Sequence, residues 1–461
     1  MTRISGSKHR IAGALAALCI VSYYLFLAGE GIGAYFSPDD LMNLYVCWQK
    51  PLVDVLKANL LFFTDFFRPA GALFYLEMYA IAGFHPMPFH IACTAISLFN
   101  LYLTYCVVKR LADSRELALL ATLISAYHAR FADLYYNIGT VYDLMCFSFF
   151  YGAFLYYIRI RQSGKALSAL QILVCSVLYV AALNSKEMAV TLPIFIAAYE
   201  WFYHRPISWR ILPVLTVITL LSIVGKYRGP DHMTLNPAYH PHISLRNYLN
   251  AFQIYSAKLF FREGWFTFGK GLALLLSLVA IAWLLKAPHL KLSFVIITCG
   301  ILPVAFITER GAFVLYMPMV GWAMYGATIL IRARDAVLPK TPLLAQAALF
   351  LAVMLWLGWV HRSHHESTWL ANPNDKIQLV AEQMRRLNPT LPKASKILFL
   401  NDPFDIDEAW QMKGVLQLCY NDHDLDVQTL KRMNPAPNEA EVASFGYVFD
   451  YKNPDIVRVR P

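Results

Sequence analysis

Residues 11–29 read IAGALAALCIVSYYLFLAG and contain no charged side chain. A helix rises about 1.5 Å per residue, so this run covers the ~30 Å hydrocarbon core of a bilayer. In lipid every backbone N–H and C=O must be satisfied internally, which leaves helices or closed barrels as the only spanning forms. A secretory signal peptide has a shorter apolar core of ~7–15 residues and ends at small residues. This run is longer and continues into GEGIGAYF, so it reads as a retained helix.

Similar runs recur. The sequence predicts eleven spans, near 11–29, 86–108, 116–130, 141–158, 166–183, 188–203, 211–226, 271–286, 292–308, 311–331 and 343–360. The third is short, as a broken or steeply placed helix would be. The chain is 58% hydrophobic and 15% charged, against about 25% charged in soluble domains. Its net charge of +10 would suggest nucleic acid in a soluble protein. Here the cations follow a different rule. Arg3, Lys8 and Arg10 precede the first span, and alternation puts Lys109, Arg110 and Arg115 on the same side. Arg159, Arg161 and Lys165, then Arg205 and Arg210, Lys286 and Lys291, and Arg332, Arg334 and Lys340 follow them there. That is the positive-inside pattern, with the N-terminus cytoplasmic and residues 361–461 outside. Nucleic acid is not an expected partner; a lipid bilayer is. Of the eight cysteines six fall in expected spans and no CxxC occurs, so neither a disulfide framework nor a zinc site is indicated.

The expected fold class is thus an all-α polytopic membrane protein with a small α/β extracytoplasmic domain. Residues 1–360 form the membrane part and 361–461 the domain, where ANPNDKIQLVAEQMRRLNP reads as a capped helix and KILFLND as a strand. Two outer loops are long, 30–85 and 227–270. In the first, Leu52, Val55, Leu56, Leu60 and Phe63 share a helical face, the pattern of a helix lying in the interface plane. The apolar stretch 68–84 is too short to span and reads as interfacial or re-entrant. A further surface helix is expected near 245–263.

The candidate chemistry lies in these outer segments. YFSPDDLMNL places Asp39 and Asp40 side by side. SPDD also reads as a helix start, with Ser37 as N-cap, Pro38 at the first turn and acids following. The alternative is a general base or cation-binding pair, since adjacent carboxylates repel and one pKa should rise. FFRP carries Arg68, which could snorkel or pair with Asp65 or a lipid phosphate. HARFADLYYNIGTVYD packs His128, Arg130, Asp133, Asn137, Tyr142 and Asp143 among aromatics, as an interfacial belt or a sugar-binding surface would. NSKEMAVTLP and ITERGAFVLYMP put Lys186 and Glu187, and Glu309 and Arg310, at outer turns. Charges at a membrane rim lean toward function, and arginine's fork suits phosphate. His232, His240 and His242 read as a solvated loop more than a metal set.

All of these charges fall on one side, which suits an enzyme better than a transporter with ionisable groups at the midplane. The feature order, with SPDD, FFRP, NSKEMAVTLPIFIAAYEWF and ER…LYMP, resembles the GT-C superfamily of lipid-linked-sugar glycosyltransferases. Within it the motifs resemble protein O-mannosyltransferases and TMTC-type proteins, over roughly residues 11–335. The resemblance implies a polyprenyl- or dolichyl-phosphate sugar donor and inversion at the anomeric carbon. It implies Asp39 as catalytic base with Asp40 as its partner. Arg310 would hold the donor phosphate, Lys186 and Glu187 would stand beside it, and Arg68 would order the first outer loop. Asn137, Asp143 and Tyr142 would meet sugar or acceptor, and a divalent cation is a possible cofactor. The chain lacks tetratricopeptide repeats and a β-trefoil insert, which leaves the acceptor open (protein, lipid or glycan) and points to a bacterial inner membrane. The other classes compatible with the residues are a transporter of lipid-linked glycan and a non-catalytic assembly partner.

Overall fold

The computed structural model describes residues 2–63, 68–204, 206–230, 235–338, 343–365, 376–408, 410–433, 435 and 437–460. Asp65, Phe66, Phe67, Arg205, His232 and Lys340, all singled out above, lie outside the described residues. Most of the chain is helical. A helix stands at each of the eleven expected positions. Only four stretches among the described residues are long and apolar enough to cross a bilayer: Ile11–Gly33, Pro86–Ala112, Ile138–Gln162 and Leu343–Ser363. Ala169–Ser185, Phe268–Leu284 and Pro288–Val304 are shorter and apolar. The helix at the third position, Arg115–Ala126, has 12 residues, or about 18 Å of rise. It gives way to a chain of single turns over residues 129–140. Of the eleven expected spans, four thus correspond to helices that qualify on length and composition.

The segment 30–85, expected as the first outer loop, folds into three helices, Pro38–Trp48, Leu52–Leu60 and Pro69–Ala82, among its described residues. In the second of these Val55 and Ala58 are buried, while Leu52, Leu56, Leu60 and Phe63 are exposed. Val55 thus leaves the expected lipid-facing stripe and packs inward. The remaining leucines form an apolar face with no protein partner, the surface an interfacial helix needs. The helix Pro69–Ala82 buries Ala70, Gly71, Ala72, Tyr75 and Tyr79. A Cβ on Gly71 would stand 1.9 Å from the Tyr142 ring, so this contact requires glycine. The helix expected near 245–263 is present as Leu245–Leu259, capped by the Ser244 side chain on the Asn247 N–H.

Beyond the last membrane helix the chain forms a four-stranded sheet: β1 (Lys396–Phe399), β2 (Asp426–Thr429), β3 (Tyr447–Lys452) and β4 (Asp455–Arg460). The order is β2-β1-β3-β4. β1 pairs parallel with β2 and with β3, and β3 pairs antiparallel with β4. The helices Lys376–Leu387 and Trp410–Tyr420 pack together beside the sheet. The second of them docks on the helix Pro38–Trp48. There the Tyr45 hydroxyl and Gln49 amide donate to Gln417 Oε1 at 2.7 and 3.1 Å, and Trp48 stacks on His423 at 3.6 Å. Tyr79 donates to the Leu418 carbonyl at 2.7 Å. The outer domain is held by specific polar contacts, not by apolar area alone.

On the opposite side, Glu200 has no exposed surface and accepts four hydrogen bonds. Arg161 donates to both oxygens at 2.6 and 3.1 Å, Tyr157 at 2.8 Å and the Ser208 N–H at 2.7 Å. Removing one partner of such a buried pair strands the other charge and costs about 3–5 kcal/mol. Glu200→Ala should lower the unfolding midpoint of the detergent-purified protein by several degrees, and a midpoint within a degree of wild type would show the pair to be dispensable.

Candidate functional site

Ser37 and Asp40 form a reciprocal capping box at the start of the helix Pro38–Trp48. The Ser37 N–H donates to Asp40 Oδ2 at 2.8 Å, and the Asp40 N–H donates to Ser37 Oγ at 3.2 Å. The other carboxylate oxygen, Oδ1, accepts the Gly139 N–H at 2.6 Å. Asp40 is fully buried, and burial pushes its carboxyl up to about 7, against the pull of the Ser37 and Gly139 hydrogen bonds. Both oxygens of Asp40 are thus occupied inside the protein, and capping is the work this geometry gives it. Asp39, one residue earlier in the same first turn, is exposed. The paired acids divide into one inward cap and one outward carboxylate.

Gly139 also donates to Asn137 Oδ1 at 2.7 Å. Asn137 therefore braces the turn that receives Asp40. Tyr142 is buried, donates to Asn43 at 3.2 Å and lies under the Arg68 guanidinium at 5.4 Å. Asp143 is buried and ion-paired with Lys186. These three residues, expected to meet sugar or acceptor, are engaged within the protein, and Tyr142 and Asp143 sit beneath the surface.

The cations form a connected set. Arg68 grips Glu187 with both fork nitrogens, at 3.3 and 2.9 Å, and Lys226 approaches the same carboxylate at 3.2 Å. Burial would raise the Glu187 carboxyl, but Arg68 and Lys226 outweigh it and hold the group well below the usual range. Burial pulls the Lys186 ammonium down, opposed by Asp143. The ammonium also faces the Phe313 ring at 4.6 Å, which ties the turn at 184–187 to the turn that carries Arg310. Arg68 thus pairs with a residue far along the chain.

Arg310 is held from the second long loop. Its guanidinium stacks on Tyr239 at 4.1 Å, and its Nη2 lies 3.5 Å from the Ala238 carbonyl. Its backbone N–H donates to the Tyr255 hydroxyl at 3.2 Å, and Lys258 donates to its carbonyl at 3.1 Å. Among the described residues no carboxylate engages the guanidinium.

Asp133 connects the two ends of this site. Its carboxylate stands 3.3 Å from where a Cβ on Gly311 would be, next to Arg310. Burial raises its pKa, and the Asp39 and Asp143 charges raise it further, against Lys186. Asp133 therefore feels the charges of Asp39, Asp143 and Lys186, and it packs beside Gly311, the residue after Arg310. Asp133 was visible in the sequence only as one polar residue in an aromatic belt. The signal that finds it is spatial, since Gly311 leaves it room. Among the described residues no three His, Cys, Asp or Glu side chains gather as a metal-holding group.

No family model matches the chain, and no curated protein matches it. Among solved structures it is similar to the apo crystal structure of the Archaeoglobus fulgidus oligosaccharyltransferase, at 10% identity and a TM-score of 0.48, covering 91% of this chain and 64% of that one. The complex of the same oligosaccharyltransferase with zinc and sulfate gives 13% identity and 0.46, covering 95% and 67%. The archaeal oligosaccharyltransferase AglB from Archaeoglobus fulgidus, with an inhibitory peptide and a dolichol-phosphate, gives 11% and 0.46, covering 97% and 69%. The chain spans about two thirds of the length of these proteins. These structural neighbours are archaeal oligosaccharyltransferases, matched at 10–13% identity.

Proposed function

We propose that this chain is a membrane glycosyltransferase that moves a sugar from a polyprenyl-phosphate donor to an acceptor at the outer face, with inversion. The observation that supports the reading is Asp133, which feels the charge of exposed Asp39 and packs against Gly311, next to Arg310, whose guanidinium engages no carboxylate among the described residues. The acceptor hydroxyl or amide attacks the anomeric carbon opposite the leaving group and gives its proton to Asp39. The bond from that carbon to the phosphate oxygen breaks, and the lipid phosphate leaves with the electron pair. Arg310 neutralises the charge that develops there, which is the strongest lever a fixed cation has on such a step. Arg68 and Lys186 are already neutralised by Glu187 and Asp143, so they build the wall of the site while Arg310 meets the phosphate. Asp40 aims Asp39 by fixing the first helical turn.

Asp39→Asn keeps a good helix-start residue and should abolish transfer from labelled polyprenyl-phosphate sugars while expression and unfolding midpoint stay at wild type. Full activity in that variant would leave the two acids with helix capping alone, as an assembly partner requires. Arg310→Gln should lower transfer about a hundredfold, the range seen on removing one charge-stabilising group; vesicle flux of lipid-linked glycan without bond formation would favour a transporter instead.

Asp40 gives a pH test. Its folded carboxyl titrates near 7, above its ordinary value of 3.8, so between those values the folded state binds more protons than the unfolded one. Stability should therefore fall as pH rises through that window. The unfolding midpoint should drop between pH 5 and pH 7, and the drop should shrink in Asp40→Asn. An equal drop in the variant would assign the pH dependence to other groups.

A further inference from the structure

A cleft opens between the outer domain and the first outer loop, with a volume of about 590 Å³. Trp48, Leu76 and Tyr79 contribute from the loop helices, and Leu418 and Cys419 from the helix Trp410–Tyr420. His85 and Arg385 stand at its polar side. No carboxylate is among its lining residues.

Its position sets the partner. His85 is the residue before Pro86, which begins a helix long and apolar enough to cross the bilayer. The basic end of that helix, with Lys109 and Arg110, is the far end, so His85 marks the outer membrane surface. Ile81 and Met87, on either side of His85, are exposed, at 73% and 56%. The cleft thus lies beside an apolar rim at the level where lipid headgroups sit.

Its charge sets the chemistry. Arg385 donates Nη2 to the Phe84 carbonyl at 2.8 Å. That bond fixes the guanidinium at the cleft and leaves its other N–H groups without a partner among the described residues. Lys393 is anchored on the Asn421 carbonyl at 2.7 Å, and Asn421 lines the cleft. Exposed His85 adds a ring. A cation-bearing recess with an apolar rim at the bilayer surface matches a phosphate diester carrying acyl chains. We propose that this cleft binds the headgroup of an anionic phospholipid. The site is separate from the one that contains Arg310. The helix Pro38–Trp48 carries Asp39 in its first turn and Trp48 at its last residue, about 15 Å away along the axis.

The experiment uses the full chain purified in detergent and stripped of lipid. Dioctanoyl phosphatidylglycerol, dioctanoyl phosphatidylcholine and inorganic phosphate are titrated calorimetrically. Phosphatidylglycerol should bind about tenfold more tightly than phosphatidylcholine, the scale of one charge-assisted contact. Arg385→Gln, which keeps a donor for Phe84, should erase that preference, and the exposed pair His85→Ala with Lys393→Ala should reduce it. Arg310→Gln should leave it intact, whatever becomes of transfer. Equal binding of the two lipids, or a preference that survives Arg385→Gln, would overturn the proposal. So would a preference lost in Arg310→Gln, which would place the lipid at the other site. Inorganic phosphate that binds as tightly as phosphatidylglycerol would overturn the lipid assignment, because the apolar rim would then contribute nothing.

Discussion

The outer site depends on two crossed ion pairs, Lys186 with Asp143 and Arg68 with Glu187. Four charged groups at or below a membrane surface are expensive to desolvate, and only close pairing makes their burial tolerable. The pairs join a membrane helix, a tight turn and the first outer loop, three elements far apart in sequence. Lys226 adds the helix Leu212–Arg228 by sharing Glu187. With those elements fixed, the position of every neighbouring side chain follows. Phe313 finds the Lys186 ammonium, Tyr142 finds Arg68, and the turn with Arg310 is set against both.

Burial and exposure then separate residues that look alike. Asp39 and Asp40 are chemically identical and adjacent, yet one faces outward and the other closes a capping box. A helix turns about 100° per residue, so neighbours in the first turn cannot face the same surroundings. The same logic splits the cations. Those paired with carboxylates tie the surrounding elements together, and the one stacked on Tyr239 engages no carboxylate among the described residues.

Much of this was legible in the chain. Apolar runs located eleven helices, because burial in lipid leaves a compositional trace that needs no partner. SPDD announced a helix start that the structure contains. Length was harder to read. Arg115–Ala126 stops at 12 residues, since the polar stretch that follows folds into single turns stitched to Asp40 through Gly139. Long-range pairings left no local signal. Nothing near Arg68 in sequence indicates Glu187, and nothing near Asp133 indicates Gly311. The inward turn of Val55 likewise reflects packing against the neighbouring helices, which periodicity alone does not reveal.

The helix Pro38–Trp48 has a consequence for how the molecule behaves as a machine. It is a short stiff rod, clamped at one end by its capping box and at the other by the Trp48–His423 stack and the Gln417 hydrogen bonds. A rod held at both ends transmits rotation with little slack. One rigid helix thus connects the turn that carries Asp39 to the C-terminal sheet and its helices, although Asp39 itself touches neither.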